Sequence, residues 1–226
     1  MGIIGGLSPE STVKYYEWIN QGVQKRLGGH NSARIVLASV NFAEFVALKQ
    51  KGDWQTQGEI LARHAVTLQG AGADFIVLAT NTMHKVAHQI EAAIDIPFLH
   101  LADATADDIV AHKLSKVGLL GTSYTMEHDF YKQRLIDKGL EVIVPDDAGR
   151  KGVNDIIYNE LTRGIISPVS KGIYQDVIAG LAQQGAQGVI LGCTEITMLI
   201  NEKDVNIPVF DTTRIHVDKA LDQILS

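Results

Sequence analysis

The sequence predicts an α/β fold of two pseudo-symmetric parallel-sheet domains, with the active site in the cleft between them. Three observations lead there. Short β-branched runs alternate with longer segments of helical period, the pattern of βαβ units and a parallel sheet. Strand-end clusters recur at about half the length of the 226-residue chain. "GADFIVLATNT" at Gly72 and "GAQGVILGCTE" at Gly185 lie 113 residues apart, "GIIGGLS" at Gly2 and "GLLGTSY" at Gly118 lie 116 apart, and "IPFLHL" at Ile96 and "IPVFDT" at Ile207 lie 111 apart. Finally, ligands of parallel sheets gather outside the carboxyl ends of the strands, where all the matched clusters fall. No Pro/Ser-rich linker divides the chain, so the expected division is 1–97 with 208–226 for the first domain and 98–207 for the second.

The strand candidates in order are "GIIG", "ARIVLASV", "ADFIVLA", "PFLHL", "KVGLLG", "LEVIVP", "GVILG" and "PVFD". Between them, "DWQTQGEILARHAVTLQGAG" puts Ile60, Leu61, His64, Ala65 and Leu68 on one face of a covering helix before a Gly stop. "GIYQDVIAGLAQQGAQ" repeats that plan with Ile173, Val177 and Leu181.

Composition narrows the function. With 46% hydrophobic residues the chain can bury a substantial core. A formal net charge of -6 and a pI near 5.7 exclude the electrostatic footprint of a nucleic-acid or anionic-membrane partner. "MGIIGG" opens directly in a strand-like run, without the charged and apolar regions of a secretory leader, and no apolar run reaches membrane-spanning length, so a soluble cytoplasmic protein is expected. The single cysteine, Cys193, rules out an internal disulfide and is either a buried structural thiol or a reactive one.

"GIIGGLSPEST", "LATNTMH", "LLGTSYTM" and "GCTEI", in this order and over nearly the whole chain, resemble the aspartate/glutamate racemase family of the wider Asp/Glu/hydantoin racemase group. That resemblance implies two pseudo-symmetric α/β domains, a homodimer, and cofactor-independent racemisation of a small acidic amino acid. Typical members carry a cysteine on each wall, in "CNT" and "GCT". Thr80 in "TNT" departs from that pattern and resembles the L-aspartate/glutamate-specific subgroup.

The residues support a compatible chemistry. Inverting an α-carbon needs a base on one face and an acid on the other, so two similar walls suit it. Cys193 falls at an expected strand-to-helix turn, where orphan N–H groups favour a thiolate and bind a carboxylate. Thr80 stands on the opposite wall. Asn81, Thr82, Thr122, Thr125 and Thr194 offer short donors for substrate, and Ser8 can cap its helix while facing the cleft. Thr80, Asn81, Thr82 and Thr194 taken singly read as N-caps, but several in one cleft favour binding. His84 can orient or buffer the site. Glu195 either complements the helix dipole or assists the thiol. Lys171 and Lys51 are candidate cations for a side-chain carboxylate, or solvated surface lysines. His84 and His88 share a metal-ligand spacing, but "HKVAH" lacks the Glu of a zincin, so no metal is expected, and no dinucleotide, phosphate or Schiff-base pattern implies a cofactor. Two other functions fit a single thiol in such a cleft: a malonate-type decarboxylase and a non-catalytic acidic-metabolite binding protein.

Overall fold

The computed structural model describes residues 1–226, which form two compact units, Met1–Leu101 with His216–Ser226 and Ala102–Ile215. In the first unit the chain runs β1 (Gly2–Gly5), α1 (Pro9–Leu27), β2 (Val36–Ser39), α2 (Phe42–Gln50), α3 (Trp54–Gly70), β3 (Ile76–Leu78), α4 (Ala87–Glu91) and β4 (Phe98–Leu99), followed by α5 (Leu101–Ala111). The second continues with β5 (Lys116–Gly121), α6 (Ser123–Glu127), α7 (Asp129–Asp137), β6 (Glu141–Ile143), α8 (Asp147–Asn159), α9 (Pro168–Gln183), β7 (Gly188–Gly192) and β8 (Val209–Asp211), and α10 (Thr212–Leu225) closes the chain. All eight strand candidates form strands.

Both sheets are parallel and share one topology, β2-β1-β3-β4 in the first unit and β6-β5-β7-β8 in the second. The recurring sequence clusters are therefore equivalent strand ends. The central strands β1, β3 and β7 are buried at every residue, as expected where both faces are covered, whereas the edge strand β2 alternates half-buried and exposed positions.

The final helix of each half is exchanged. Helix α5 follows β4, yet its Asp103, Thr105 and Asp107 bond Arg134, Tyr131 and Lys138 of the α7 region in the second unit. Helix α10 follows β8, yet its Val217, Ala220 and Leu221 pack with Ile3, Tyr15 and Ile19 of the first. This moves the domain boundaries. β8 lies in the 208–226 segment expected in the first domain, but Val209–Asp211 pairs with Val189–Leu191 in the second sheet. The crossing falls inside α10, because its apolar face matches the surface beside β1.

Local sequence explains the strand-to-helix transitions. Ser8 caps α1 by accepting from the Ser11 N–H, with Pro9 at the first helical turn. Gly6 turns the chain there with φ +83°, where a Cβ would stand 2.3 Å from the Val40 carbonyl oxygen. Helix α3 buries Leu61, Ala65 and Leu68 of its expected face, while Ile60 and His64 are half-buried. Helix α9 differs, because its core face is Ser170, Tyr174, Ile178 and Leu181. Ile173 is exposed and Val177 half-buried, so the buried stripe is rotated by one residue from the expected Ile173–Val177–Leu181 line. Tyr174, whose hydroxyl donates to the Val153 carbonyl, takes the central place.

Candidate active site

In the second unit, Cys193, Thr194 and Glu195 follow β7, and Thr122 and Thr125 follow the adjacent strand β5. Cys193 comes directly after the last residue of β7, with extended backbone angles. Beyond it, Thr194–Met198 form a five-residue 3₁₀ turn, not the α-helix start expected from the sequence. The burial of Ile196, Leu199 and Ile200 closes the turn tightly against the core. A single turn has little macrodipole, so the thiol's environment is set by its neighbours. The nearest is Glu195. The half-buried Cys193 Sγ–H donates to Glu195 Oε2 at 2.9 Å. The carboxylate is a proton acceptor for the thiol, and its charge opposes a standing thiolate.

Thr194 is buried, and its hydroxyl lies 3.2 Å from that of Thr213 at the start of α10. Thr122 and Thr125, also buried, place their hydroxyls 3.3 Å apart at the start of α6. The Ser123 N–H beside them donates to Asn154 Oδ1 at 2.9 Å. Thr213 and Asn154 were not anticipated; Thr213 directly follows the repeated "IPVFDT" cluster, but Asn154 lies mid-helix without a motif. Tyr158 and Tyr174 were likewise unforeseen. Burial pushes both phenols above the usual tyrosine range, and the charge at Cys193 pushes in the same direction.

In the first unit, Ser8 stands after β1, and Thr80, Asn81 and Thr82 after β3, at the matching edge of neighbouring strands. Ser8 is engaged as a cap, accepting from Ser11 N–H at 3.2 Å and donating to Glu10 Oε2 at 3.0 Å. Asn81 is buried, Thr80 half-buried, and Thr82 opens a five-residue 3₁₀ turn, the counterpart of the turn after Cys193.

His84 anchors that turn. Its Nε2 accepts the Leu101 N–H at 3.2 Å, so Nδ1 carries the ring proton and donates to the Thr80 carbonyl at 2.7 Å. Both ring nitrogens thus serve backbone groups, which suits an orienting role for the ring. His88 is exposed, whereas His84 is buried.

The candidate cations stand apart from this pattern. Lys171 Nζ pairs with Asp204 Oδ1 at 2.6 Å, a hydrogen bond that holds the Asp204 carboxyl below its ordinary range. Its charge is already matched. Lys51 is exposed at the carboxyl end of α2. No helix is long and apolar enough to cross a membrane.

Two parallel four-stranded sheets of one topology give the chain a two-unit α/β fold. The chain belongs to the Asp/Glu/hydantoin racemase family, whose model matches residues 4–220. It is therefore an isomerase of the amino-acid racemase type. It is 25% identical to the broad specificity amino-acid racemase RacX of Bacillus subtilis, over 94% of this chain and 92% of that one. Among solved structures it is similar to a candidate Asp/Glu racemase from Yersinia pestis, with 55% identity, a TM-score of 0.96 and coverage of 100% and 98% of the two chains. It is also similar to PH1733 of Pyrococcus horikoshii, described as an aspartate racemase homologue, with 36% identity, a TM-score of 0.89 and the same coverage.

Proposed function

We propose that the protein racemises L-aspartate or L-glutamate without a cofactor, with Cys193 and Thr80 acting on the two faces of one carbanion. The observation that carries this assignment is the Cys193 Sγ–Glu195 Oε2 hydrogen bond at the end of β7. It supplies the otherwise protonated thiol with an acceptor. Glu195 takes the Sγ proton, and the thiolate then removes the Cα proton of the L-enantiomer. The electron pair left on Cα spreads into the α-carboxylate, whose developing charge is met by N–H and hydroxyl donors from the Asn81, Thr82, Thr122, Thr125 and Thr194 segments. Thr80 passes its hydroxyl proton to the opposite face and recovers one from water, while Glu195 releases its proton to water. No net proton is consumed.

The acidic substrate class is supported by the family and by the descriptions of the Yersinia and Pyrococcus relatives. The test is incubation with L-aspartate and L-glutamate in deuterated water, followed by chiral chromatography and mass spectrometry. Product of inverted configuration should carry deuterium at Cα, and Cys193→Ser should abolish most turnover while substrate still binds. An arylmalonate releasing CO2 would instead identify a decarboxylase. Binding of the acidic amino acids with neither exchange nor inversion would mark a binding protein.

A further inference from the structure

Four hydrogen bonds link α1 to Thr80 within the first unit. The Tyr15 hydroxyl donates to His216 Nδ1 at 2.7 Å, and His216 Nε2–H donates to the Leu99 carbonyl at 2.8 Å. That carbonyl lies where the register of β4 on β3 ends, with Val77 beside Leu99. Two residues on, the Leu101 N–H donates to His84 Nε2 at 3.2 Å, and His84 Nδ1–H donates to the Thr80 carbonyl at 2.7 Å. Each neutral imidazole is thereby fixed in one tautomer, because one nitrogen of each meets a backbone group that can only donate or only accept. Both rings are buried, 6.0 Å apart, and His100 meets His84 edge-on at 4.5 Å. Thr80 is half-buried beyond the end of β3, and its own N–H donates to the Leu78 carbonyl at 2.9 Å. With both backbone groups held and few χ1 rotamers open to a β-branched side chain, its hydroxyl has a defined direction.

We infer that His84 and His216 clamp the end of β4 and are positioning residues for Thr80, holding its hydroxyl in the direction from which it returns a proton to the carbanion. This rests on the reading of Thr80 as the group that protonates one face. Neither imidazole exchanges a proton with substrate. Each acts through directed bonds between buried groups, and a misplacement of about 1 Å at the reacting group is enough to cost about 10²-fold in rate.

The test follows L-aspartate or L-glutamate in deuterated water, whichever wild type turns over faster, and reads the ratio of D-product to deuterated L-substrate. A carbanion that takes its proton from Thr80 becomes D-product, whereas one reprotonated by the thiol returns to L-substrate carrying solvent deuterium. Only folded molecules contribute to either, so the ratio does not register a loss of stability. His84→Ala and His216→Leu should each lower it about ten-fold or more, while His84→Asn should stay within about three-fold of wild type. Asn can bond the carbonyl four residues back, as Asn20 does that of Tyr16 at 2.8 Å. A wild-type ratio in His84→Ala or His216→Leu, or an Asn variant no better than Ala, overturns the inference. Should His216→Leu not fold, Tyr15→Phe, which keeps the ring, takes its place and should lower the ratio about three-fold or more, an unchanged ratio again overturning the inference. If wild type inverts neither diacid, or Thr80→Val keeps the wild-type ratio, it is the reading of Thr80 that fails. The clamp is then read from the ring-nitrogen chemical shifts of His84 by NMR. An Nδ1–H tautomer in wild type that becomes mixed in His216→Leu supports it, whereas an Nε2–H tautomer, or one unchanged by the substitution, overturns it.

Discussion

The Cys193 thiol donates a hydrogen bond across 2.9 Å to the Glu195 carboxylate, two residues on around the turn that ends β7. The pair separates two properties that usually rise together. Replacing Glu195 by Gln removes the acceptor for the thiol proton and also the negative charge that disfavours a thiolate. Glu195→Gln should therefore lower kcat about 10²- to 10⁴-fold, while Cys193 reacts with iodoacetamide at neutral pH at least as fast as in wild type. Slower alkylation together with intact turnover would contradict the role given to Glu195.

In the proposed reaction, Thr80 makes the two faces chemically unequal. A threonine hydroxyl is a far weaker acid than a thiol, so L-substrate should turn over faster than D-substrate at matched concentration. Equilibrium stays racemic, and the asymmetry shows only in kinetic constants. Thr80→Cys should raise the D-to-L rate more than the L-to-D rate. Equal D and L rates in wild type, or an unchanged D direction in a folded variant, would sink this assignment.

His216 is wholly buried, with Nε2–H donating to the Leu99 carbonyl at 2.8 Å and Nδ1 accepting from the Tyr15 hydroxyl at 2.7 Å. Burial lowers its pKa to about 4. The unfolded chain, titrating near 6.5, binds the proton first, so this contribution to stability is complete above about pH 6.5 and is lost as pH falls towards 4. At the steepest point the loss is about 1.4 kcal/mol per pH unit. Urea midpoints between about pH 7 and 4.5 should fall more steeply for wild type than for His216→Gln. Parallel slopes would show that His216 does not titrate this way.

Gly6 and Gly164 both have positive φ, but of the two only Gly6 is crowded, since nothing lies within 4 Å of a Cβ at Gly164. Gly164 is left-handed, with φ 73° and ψ 14°, so Gly164→Ala should cost about 1 kcal/mol. Gly6→Ala adds a clash with backbone at Val40 and should cost several times more, on the order of 3 kcal/mol or above. Equal denaturation midpoints for the two variants would contradict the close approach of β1 and β2.

Much of this molecule is legible in its residue order. The eight strands are apolar runs with turn residues at their ends, and repetition of three strand ends marks two halves of one topology. Those same ends carry Cys193, Thr80 and most of the candidate donors, because the loops after parallel strands are the places where backbone polar groups remain available to a ligand. Burial, in contrast, depends on what lies across from a side chain. Periodicity alone did not place Tyr174 instead of Ile173 at the centre of the α9 core face.

Sequence by itself determined the succession of strands, the internal repeat and the positions of the candidate site residues along the chain, since these derive from periods of two and of about 3.6 and from residue chemistry. Only the tertiary structure decided that α5 and α10 are exchanged between the halves and that both site loops end in 3₁₀ turns. The tautomer of His84 and the acceptor of the Cys193 hydrogen bond were settled there as well. Each depends on contacts between segments remote in sequence or on the angle at which a short turn closes, and neither leaves a period in the order of residues.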